Sequence, residues 1–225
     1  MRIGILALQG AFQEHAVLLE EAYRQLRARG GTVIALEVVE VRTPSELASC
    51  DALVIPGGES TTFGIVAERN GLLDDLRRFV RDGSKSVWGT CAGLIVLADQ
   101  ISGGKSDGQP LIGGLGVRVC RNHFGRQTES FIAPVSMPFL SDEPQRPLES
   151  VFIRAPVVDV ILADDYKAND PKSAPVEVLG RLLSGEIIAV RQGHLVGTSF
   201  HPELTTDARF HKWWLETCVL GLTAR

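Results

Sequence analysis

A single cysteine, Cys91, stands between two glycines where a predicted strand, KSVWGT, meets a predicted helix, AGLIVLADQ. Gly89 and Gly93, two residues to either side, remove side chains that would collide across a sharp strand-to-helix bend. A cysteine at such a bend, beyond the carboxyl end of a parallel strand, projects into the crevice where ligands bind. The first N–H groups of the helix would face its sulfur and stabilise negative charge there. The pattern therefore predicts a nucleophile.

A candidate base and its orienting carboxylate follow an apolar strand near the C-terminus, as His201 and Glu203 of VGTSFHPEL. Residues two apart on an extended segment point the same way, and Pro202 fixes the backbone between them. With Cys91 they would complete a Cys-His-Glu triad. His-x-Glu also belongs to the zinc deaminase signature, but the Pro-Cys-x-x-Cys segment of that signature is missing from this sequence. The other histidines are interpreted as structural or solvent-exposed: His15, His123, His194 and His211.

A third segment, VIPGGEST at residues 54–61, ends a predicted strand with two glycines. Such a turn can present a backbone N–H to a substrate carbonyl, because no side chain shields it. A plain turn with Ser60 or Thr61 capping the next helix is a compatible interpretation. Likewise, Cys91 alone could be a buried structural cysteine with incidental glycines beside it.

Strands and helices alternate through the first half of the chain. Apolar runs predict strands at RIGILAL, TVIALEVVEV, DALVIPGG and KSVWGT, and the segments AFQEHAVLLEEAYRQLRARGG, TPSEL, GLLDDLRRFVRDG and AGLIVLADQ predict helices. This alternation predicts a parallel sheet covered on both faces. The second half predicts strands with short turns at LGVRVC, ESFIAPV, SVFIRA, VEVLGRL and the hairpin EIIAVRQGHLVGTSF, then a final helix, TDARFHKWWLETCVLG. Polar segments at 102–114 and 164–175 predict exposed loops.

Composition narrows the classes of function. The chain has 225 residues, of which 44% are hydrophobic and 22% charged, and this favours one α/β domain over residues 1–225. A net charge of −4 with scattered Lys and Arg argues against nucleic-acid binding. No run reaches the roughly 18 apolar residues of a membrane span, and the N-terminal run is too short for a signal peptide. Four cysteines without a C-x-x-C pair indicate neither a disulfide framework nor a zinc site. We therefore expect a cytoplasmic protein that binds neither a membrane nor a metal.

Several segments together resemble one branch of the class I glutamine amidotransferases. They occur in order from about residue 2 to 217, as LALQGAFQEH, IPGGEST, WGTCAGLI, RNHFGRQ, FIRAP and FHPEL. Gly-x-Cys-x-Gly with His-Pro-Glu is similar to the broad class, whereas LALQG, PGGEST and RN-x-FGRQ are similar to the glutaminase subunits of pyridoxal 5'-phosphate synthases. The resemblance implies a three-layer, flavodoxin-like α/β fold: a mostly parallel sheet with helices on both faces and an antiparallel C-terminal extension.

The resemblance also implies roles for individual residues. Cys91 would be the nucleophile, His201 the general base and acid, and Glu203 its orienter. The backbone N–H groups of Gly58 and Ala92 would form the oxyanion hole. The implied contacts to glutamine are Gly58, Glu59, Ser60, Arg121, Ile153 and Arg154. Arg121 or Arg154 would pair with the α-carboxylate, although either could instead form a surface ion pair or contact a partner.

The implied activity is hydrolysis of L-glutamine to L-glutamate and ammonia, with no cofactor or metal. The ammonia would pass to a separate (β/α)8 barrel synthase subunit that builds pyridoxal 5'-phosphate from a pentose phosphate and a triose phosphate. When that partner docks, the glycine turn could move the Gly58 N–H into the oxyanion hole and so activate the enzyme. The segment ALQGAFQEH would form part of the docking surface. Two other functions remain open: a stand-alone cysteine hydrolase of the same fold, such as a γ-glutamyl hydrolase or peptidase, and a non-catalytic scaffold subunit. Segments near 23–42, 102–112 and 164–175 are longer than a minimal family member needs.

Overall fold

Alternating strands and helices fill the first half of the chain, as its sequence predicts. The computed structural model describes residues 1–29, 34–103, 109–125, 129–140, 142–162 and 174–221. The strands are β1 (Arg2–Leu6), β2 (Glu37–Val41), β3 (Ala52–Ile55), β4 (Ser86–Thr90), β5 (Ala98–Ser102), β6 (Leu115–Cys120), β7 (Phe131–Val135), β8 (Leu148–Phe152), β9 (Val157–Ile161), β10 (Val176–Arg181), β11 (Ile187–Gln192) and β12 (Leu195–Thr198). The helices are α1 (Phe12–Ala28), α2 (Pro44–Ala48), α3 (Ser60–Arg69), α4 (Leu73–Arg81), α5 (Ala92–Leu97) and α6 (Arg209–Trp213). A 3-10 turn, Pro202–Leu204, precedes α6, and a π-helical segment, Trp214–Leu220, continues it.

The main sheet has 10 strands in the order β2-β1-β3-β4-β12-β11-β9-β6-β5, with β10 paired to β11. Strands β2, β1, β3, β4 and β12 are mutually parallel. Strand β11 is antiparallel to β12, β10 and β9, and β7 with β8 forms a separate antiparallel ribbon. The predicted mostly parallel sheet with an antiparallel extension is therefore confirmed. Because β3, β4 and β12 are parallel neighbours, their carboxyl ends meet at one edge, where ligands bind in folds of this kind.

Helices cover both faces of the sheet, and each face has its own core. One core joins α1 to the C-terminal helix through side chains such as Leu19 and Phe210. The other joins α2, α3, α4 and α5 through side chains such as Leu47, Leu76 and Leu94. Every residue of β3 and β4 is buried as a result. Burial on both faces explains why β3, with the sequence ALVI, is a continuous apolar run rather than an alternating one.

Two predicted boundaries are wrong. The run AGLIVLADQ is a helix only as far as Leu97, because Ala98–Ser102 forms β5 and pairs with β6. Every residue of α5 is buried, and so is Ala98, which means that apolar character does not mark where the helix ends. The second strand, predicted from Thr32, begins at Glu37, and residues 32 and 33 lie outside the described ranges.

The final helix is wound in two ways, α-helical over Arg209–Trp213 and π-helical over Trp214–Leu220. Such π segments are rare and often lie beside functional sites. Of the predicted loops, 104–108 and 164–173 lie outside the described ranges, whereas 109–114 and 174–175 have no regular structure. No helix within the described ranges is long and apolar enough to cross a bilayer. The same ranges contain no group of three or more His, Cys, Asp or Glu side chains that could hold a metal ion.

Candidate active site

Cys91 lies in the turn between β4 and α5, with φ 49° and ψ −101°. A positive φ outside glycine is strained by about 1–3 kcal/mol and is common at functional sites. A Cβ on Gly89 would lie 2.5 Å from the carbonyl oxygen of Gly93, and a Cβ on Gly93 would lie 2.0 Å from that of Ile55. Close backbone contact therefore requires both glycines: Gly89 avoids a collision across the bend, as predicted, whereas Gly93 avoids a collision with the neighbouring strand β3. The Cys91 N–H donates to the Thr198 carbonyl at 2.8 Å, which fastens the turn to β12.

His201 and Glu203 follow the end of β12, the strand beside β4. Glu203 lies in a 3-10 turn, so the predicted reason for their proximity, an extended segment, is wrong. Their proximity itself is observed, because His201 Nδ1 lies 2.8 Å from Glu203 Oε1. The backbone N–H of His201 donates to the Val151 carbonyl at 2.8 Å and holds this segment against β8. Only 8% of His201 and 3% of Glu203 is exposed.

Charge couples His201 to both of its neighbours. Burial disfavours the imidazolium, but hydrogen bonding and charge from Cys91 and Glu203 outweigh burial and raise the pKa of His201 to about 10. Burial also raises the pKa of Glu203, yet His15 and His201 together hold that pKa below its usual range. The site therefore holds an ionised carboxylate beside an imidazolium. A thiol, an imidazole and a carboxylate arranged in this order can carry nucleophilic and proton-transfer chemistry.

The glycine turn between β3 and α3 packs directly against these side chains. A Cβ on Gly57 would lie 2.3 Å from His201 Cε1, so no larger residue fits there. Gly58 follows with φ 142°, a conformation that side chains rarely adopt. Gln9 lies over the turn: its Oε1 accepts the Glu59 N–H at 3.3 Å, and a Cβ on Gly58 would lie 2.6 Å from its Cδ. The turn thus brings bare backbone next to the imidazole.

A polar network joins this turn to Arg121, which follows β6. Glu59 caps α3 by accepting N–H groups of its first turn, in place of the predicted Ser60 or Thr61. Partial burial raises the pKa of Glu59, but these N–H bonds outweigh it and keep that pKa below its usual range. Arg121 Nη2 lies 3.6 Å from Glu59 Oε1, and Arg121 Nη1 donates to Gln109 Oε1 at 2.8 Å. Arg121 is therefore held in place before any ligand binds.

These groups surround a cleft of about 240 Å³. Its lining residues are Gly58, Glu59, Ser60, Cys91, Ile95, Arg121, Asn122, Ile153, Arg154 and His201. All the residues expected to contact substrate are among them, whereas Ala92 is buried at the start of α5 and Glu203 is joined to the cleft through His201. Arg154 has φ 48° and Asn122 has φ 52°, so the cleft edge, like Cys91, carries strained backbone.

The sequence around this cleft matches a known protein family. The model of the SNO glutamine amidotransferase family matches residues 5–220, a range that includes every residue of the cleft. The chain belongs to this family.

Other members of the SNO family are similar over nearly the whole chain. A Streptomyces coelicolor protein named pyridoxal 5'-phosphate synthase subunit PdxT is 47% identical, over 93% of this chain and 90% of that protein. An Arabidopsis thaliana protein named probable pyridoxal 5'-phosphate synthase subunit PDX2 is 43% identical, over 96% of this chain and 85% of that protein. A crystal structure of a glutamine amidotransferase at 41% identity has a TM-score of 0.74, over 96% of this chain and 98% of that chain.

Several residues around the cleft of this SNO family member are not predicted from the sequence. Ile95 and Asn122 line it, and Gln9 and Gln109 hydrogen-bond to residues that line it. Gln109 carried no signal, because it lies within the polar segment 102–114, which is predicted only as a loop. His15 was interpreted as structural or exposed; it is fully buried, and its Nε2 lies 3.3 Å from Glu203 Oε2.

Proposed function

We propose that this chain is a glutaminase that hydrolyses L-glutamine to L-glutamate and ammonia. The observation that carries the proposal is a buried His201–Glu203 pair beside Cys91, at the cleft of a chain in the glutamine amidotransferase family. Glutamine presents a carboxamide carbon to a nucleophile and an amide nitrogen that must be protonated to leave. A cysteine with an adjacent imidazole supplies both requirements.

In the proposed mechanism, the Cys91 thiolate attacks the side-chain carboxamide of glutamine. The backbone N–H groups of Gly58 and Ala92 stabilise the oxyanion, since Ala92 lies in the first turn of α5, whose N–H groups the helix does not satisfy. His201, as the imidazolium, donates its proton to the leaving nitrogen, and ammonia departs. His201 then takes a proton from the water that attacks the thioester, which releases glutamate and restores the thiolate. Glu203 accepts the Nδ1–H of His201 throughout.

The substrate contacts of the proposal follow from charge. A zwitterionic amino acid needs a cation for its carboxylate and an anion for its ammonium group. Arg121 and Arg154 are the cationic side chains that line the described cleft, and Glu59 supplies an ionised carboxylate at the same edge. Ser60 and Ile153 complete the proposed glutamine site. Nothing in this reaction calls for a metal or a cofactor.

We further propose that the ammonia passes to a separate barrel-type synthase subunit for pyridoxal 5'-phosphate synthesis. The support is that two relatives, 40% and 47% identical to this chain, are named pyridoxal 5'-phosphate synthase subunit PdxT. Ammonia released to solvent is lost to synthesis, so a partner-dependent rate would serve this purpose. The Gly57–Gly58 turn is the proposed switch, because a glycine peptide can rotate at low steric cost. The described cysteines are free thiols, which fits a reducing compartment, so the cytoplasm is the proposed location.

The test is ammonia release from glutamine, measured with and without a barrel-type synthase subunit. We expect release with the partner, none from Cys91→Ala, and normal release from the control Cys120→Ala, since Cys120 is half-buried and does not line the described cleft. Equal rates with and without the partner would reject partner dependence and favour a stand-alone hydrolase. A full rate in Cys91→Ala would reject the mechanism.

A further inference from the structure

Two buried histidines behind Glu203 form a chain of contacts that the proposed mechanism does not use. His15 on α1 and His211 on α6 are both 0% exposed. His15 Nε2 lies 3.3 Å from Glu203 Oε2 and 3.3 Å from Oγ1 of Thr90, the last residue of β4. His15 Nδ1 lies 3.0 Å from His211 Nε2. These contacts link the carboxylate to β4, the strand that ends immediately before Cys91, and to two helices on the same face of the sheet.

The neighbours of His15 decide which of its nitrogens carries the proton. Burial lowers the pKa of both His15 and His211, so each ring is neutral and has one N–H. A carboxylate oxygen only accepts hydrogen bonds. If Nδ1 of His15 carried the proton, a bare Nε2 would face an ionised oxygen of Glu203 at 3.3 Å in a buried site. The proton therefore belongs on Nε2, and the Nε2–H of His211 donates to Nδ1 of His15.

Glu203 needs an N–H or O–H donor near its Oε2 atom, which faces His15. Its Oε1 accepts from His201, but its Oε2 has no hydrogen-bond partner among the described residues. The His15 contact with Oε2 is close enough for electrostatic attraction, although it is not aligned as a hydrogen bond. A buried carboxylate with one bare oxygen is unfavourable in its ionised form. The Nε2–H dipole of His15 offsets that penalty.

A buried indole holds the two imidazoles in place. The rings of Trp88 and His15 meet edge to face, with centroids 5.4 Å apart and planes at 82°. The ring of Trp88 also lies 4.8 Å from that of His211, and its Nε1–H donates to Thr198 Oγ1 at 3.2 Å. Trp88 is 0% exposed and packs against both imidazoles, which restricts rotation of the two rings. The direction of the hydrogen-bond chain then follows from the proton on Nε2 of His15.

We propose that His15 is a positioning residue of the active site, held in one tautomer by His211. It acts through Glu203, because its Nε2–H keeps the carboxylate ionised and aimed at Nδ1 of His201. Its contact with Thr90 ties that carboxylate to the strand that carries the nucleophile. The inference rests on the proposed glutaminase function and adds a residue outside the triad. A histidine that only fills the core would leave the chemistry of Glu203 unchanged when replaced.

The charged surroundings of His15 set the expected pH response. Glu203 and His201 face it from the segment after β12, His211 from α6, and Glu14 from its own helix. Glu203 in turn faces His15 and His201. Loss of the His15 N–H removes one influence that holds the pKa of Glu203 down. The acid limb of the activity profile should then move to higher pH.

Two substitutions separate positioning from core filling. His15→Phe keeps a buried ring without nitrogens, whereas His15→Gln keeps an N–H donor at the position of Nε2. We expect His15→Phe to lower kcat roughly 10- to 100-fold and to leave KM for glutamine nearly unchanged. The apparent pKa of the acid limb of its activity profile should rise by about one unit. His15→Gln should recover most of kcat and the wild-type acid limb. His194→Phe is the control. His194 lies in the turn before β12, its Nε2 lies 2.9 Å from the Val80 carbonyl of α4, and it does not line the described cleft.

A measurement on the unsubstituted full-length chain does not depend on how the variants fold. Nitrogen NMR of histidine-labelled protein should show His15 neutral, with its proton on Nε2. A proton on Nδ1 would overturn the proposal, and so would a His15→Phe protein with wild-type kcat and acid limb. A His15→Gln protein no better than His15→Phe would also overturn it.

The proposed function can fail separately from this inference. If the wild-type chain releases no ammonia even with a barrel-type synthase present, the glutaminase proposal fails. The tautomer of His15 and the pH dependence of Cys91 alkylation by iodoacetamide would still decide whether His15 acts on Glu203 and His201. An unchanged alkylation profile in His15→Phe would count against the positioning role.

Discussion

Replacing Glu203 with glutamine tests the proposed arrangement of charges most directly. The two carboxylate oxygens face two nitrogens: Oε1 lies 2.8 Å from Nδ1 of His201, and Oε2 lies 3.3 Å from Nε2 of His15. A glutamine side chain has one oxygen and one NH2 group, so it must turn a donor towards one of these N–H groups. Either orientation also removes the negative charge beside His201.

The raised pKa of His201 sets the size of the expected effect. The rise from 6.5 to about 10 corresponds to a preference of about 5 kcal/mol for the imidazolium. Glu203 is one of the two residues responsible, with Cys91, so its loss should remove about half of this preference, roughly 2 to 3 kcal/mol, or roughly 30- to 200-fold in kcat. Glu203→Asp keeps the charge but withdraws it by one methylene, so we expect a smaller fall.

The assay is ammonia release from glutamine over about pH 6 to 11, a range that includes the pKa of about 10 of His201, with a barrel-type synthase present and circular dichroism to check folding. Because the pKa of His201 falls when Glu203 loses its charge, the basic limb of the profile should move to lower pH. Glu68→Gln, at an exposed position on α3, controls for the loss of a carboxylate. If Glu203→Gln turns over like the wild type, another group orients His201 and the reasoning is wrong.

Four further predictions concern the thiols, the glycine turn, the substrate site and stability. An electrophilic glutamine analogue should label Cys91 and spare Cys50, Cys120 and Cys218, because burial raises the pKa of the Cys50 thiol, and that of Cys218 to about 11; even labelling in peptide mass spectrometry would contradict the nucleophile assignment. Gly58→Ala, whose Cβ would lie 2.6 Å from Gln9 Cδ, should lower kcat roughly 10²- to 10³-fold, whereas the control Gly83→Ala, with open space around it, should not. Arg121→Ala and Arg154→Ala should each raise KM for glutamine, by roughly 10-fold or more for a direct contact to the carboxylate, and a normal KM would leave that arginine outside the substrate site. Burial lowers the pKa of His15 and His211, so at acidic pH the unfolded chain binds protons there that the folded chain does not. As the pH falls below about 6.5, the free energy of unfolding should therefore decrease by about 1.4 kcal/mol per pH unit for each ring. His211→Phe should make the fall in melting temperature between about pH 7 and pH 5 less steep, and an equally steep fall would contradict this account.

Much of the first half of the fold could be predicted because its strands are buried on both faces. In β3 every residue is buried and apolar, so an apolar run and the glycine turn after it mark the whole strand. The same burial hides the end of α5, where Ala98 begins a strand without any change in apolar character. That boundary depends on pairing with β6, a partner distant in sequence.

The candidate site shows the same division between local and non-local information. Cys91 could be found because two glycines flank it at a strand-to-helix bend; Gly89 is required by a contact within the bend, whereas Gly93 is required by the Ile55 carbonyl of the neighbouring strand β3. His201 and Glu203 could be paired because they are two residues apart, even though the turn between them is 3-10 rather than extended. The contacts of His15 and Gln109 depend on how distant segments pack, and a lone histidine on a helix is more often part of a core than of a site.

Strands β4 and β12 pair although they are far apart in the sequence, so the ribosome synthesises β4 well before β12. Thr90 pairs with Thr198, and the N–H of Cys91 donates to the Thr198 carbonyl. Such non-local pairing forms late, because the entropy of closing a long loop opposes it. A nascent chain on the ribosome that has completed β4 but not β12 therefore carries the cysteine without the imidazole. If Cys91 and His201 act together as proposed, the chain can release ammonia only after β12 has paired with β4.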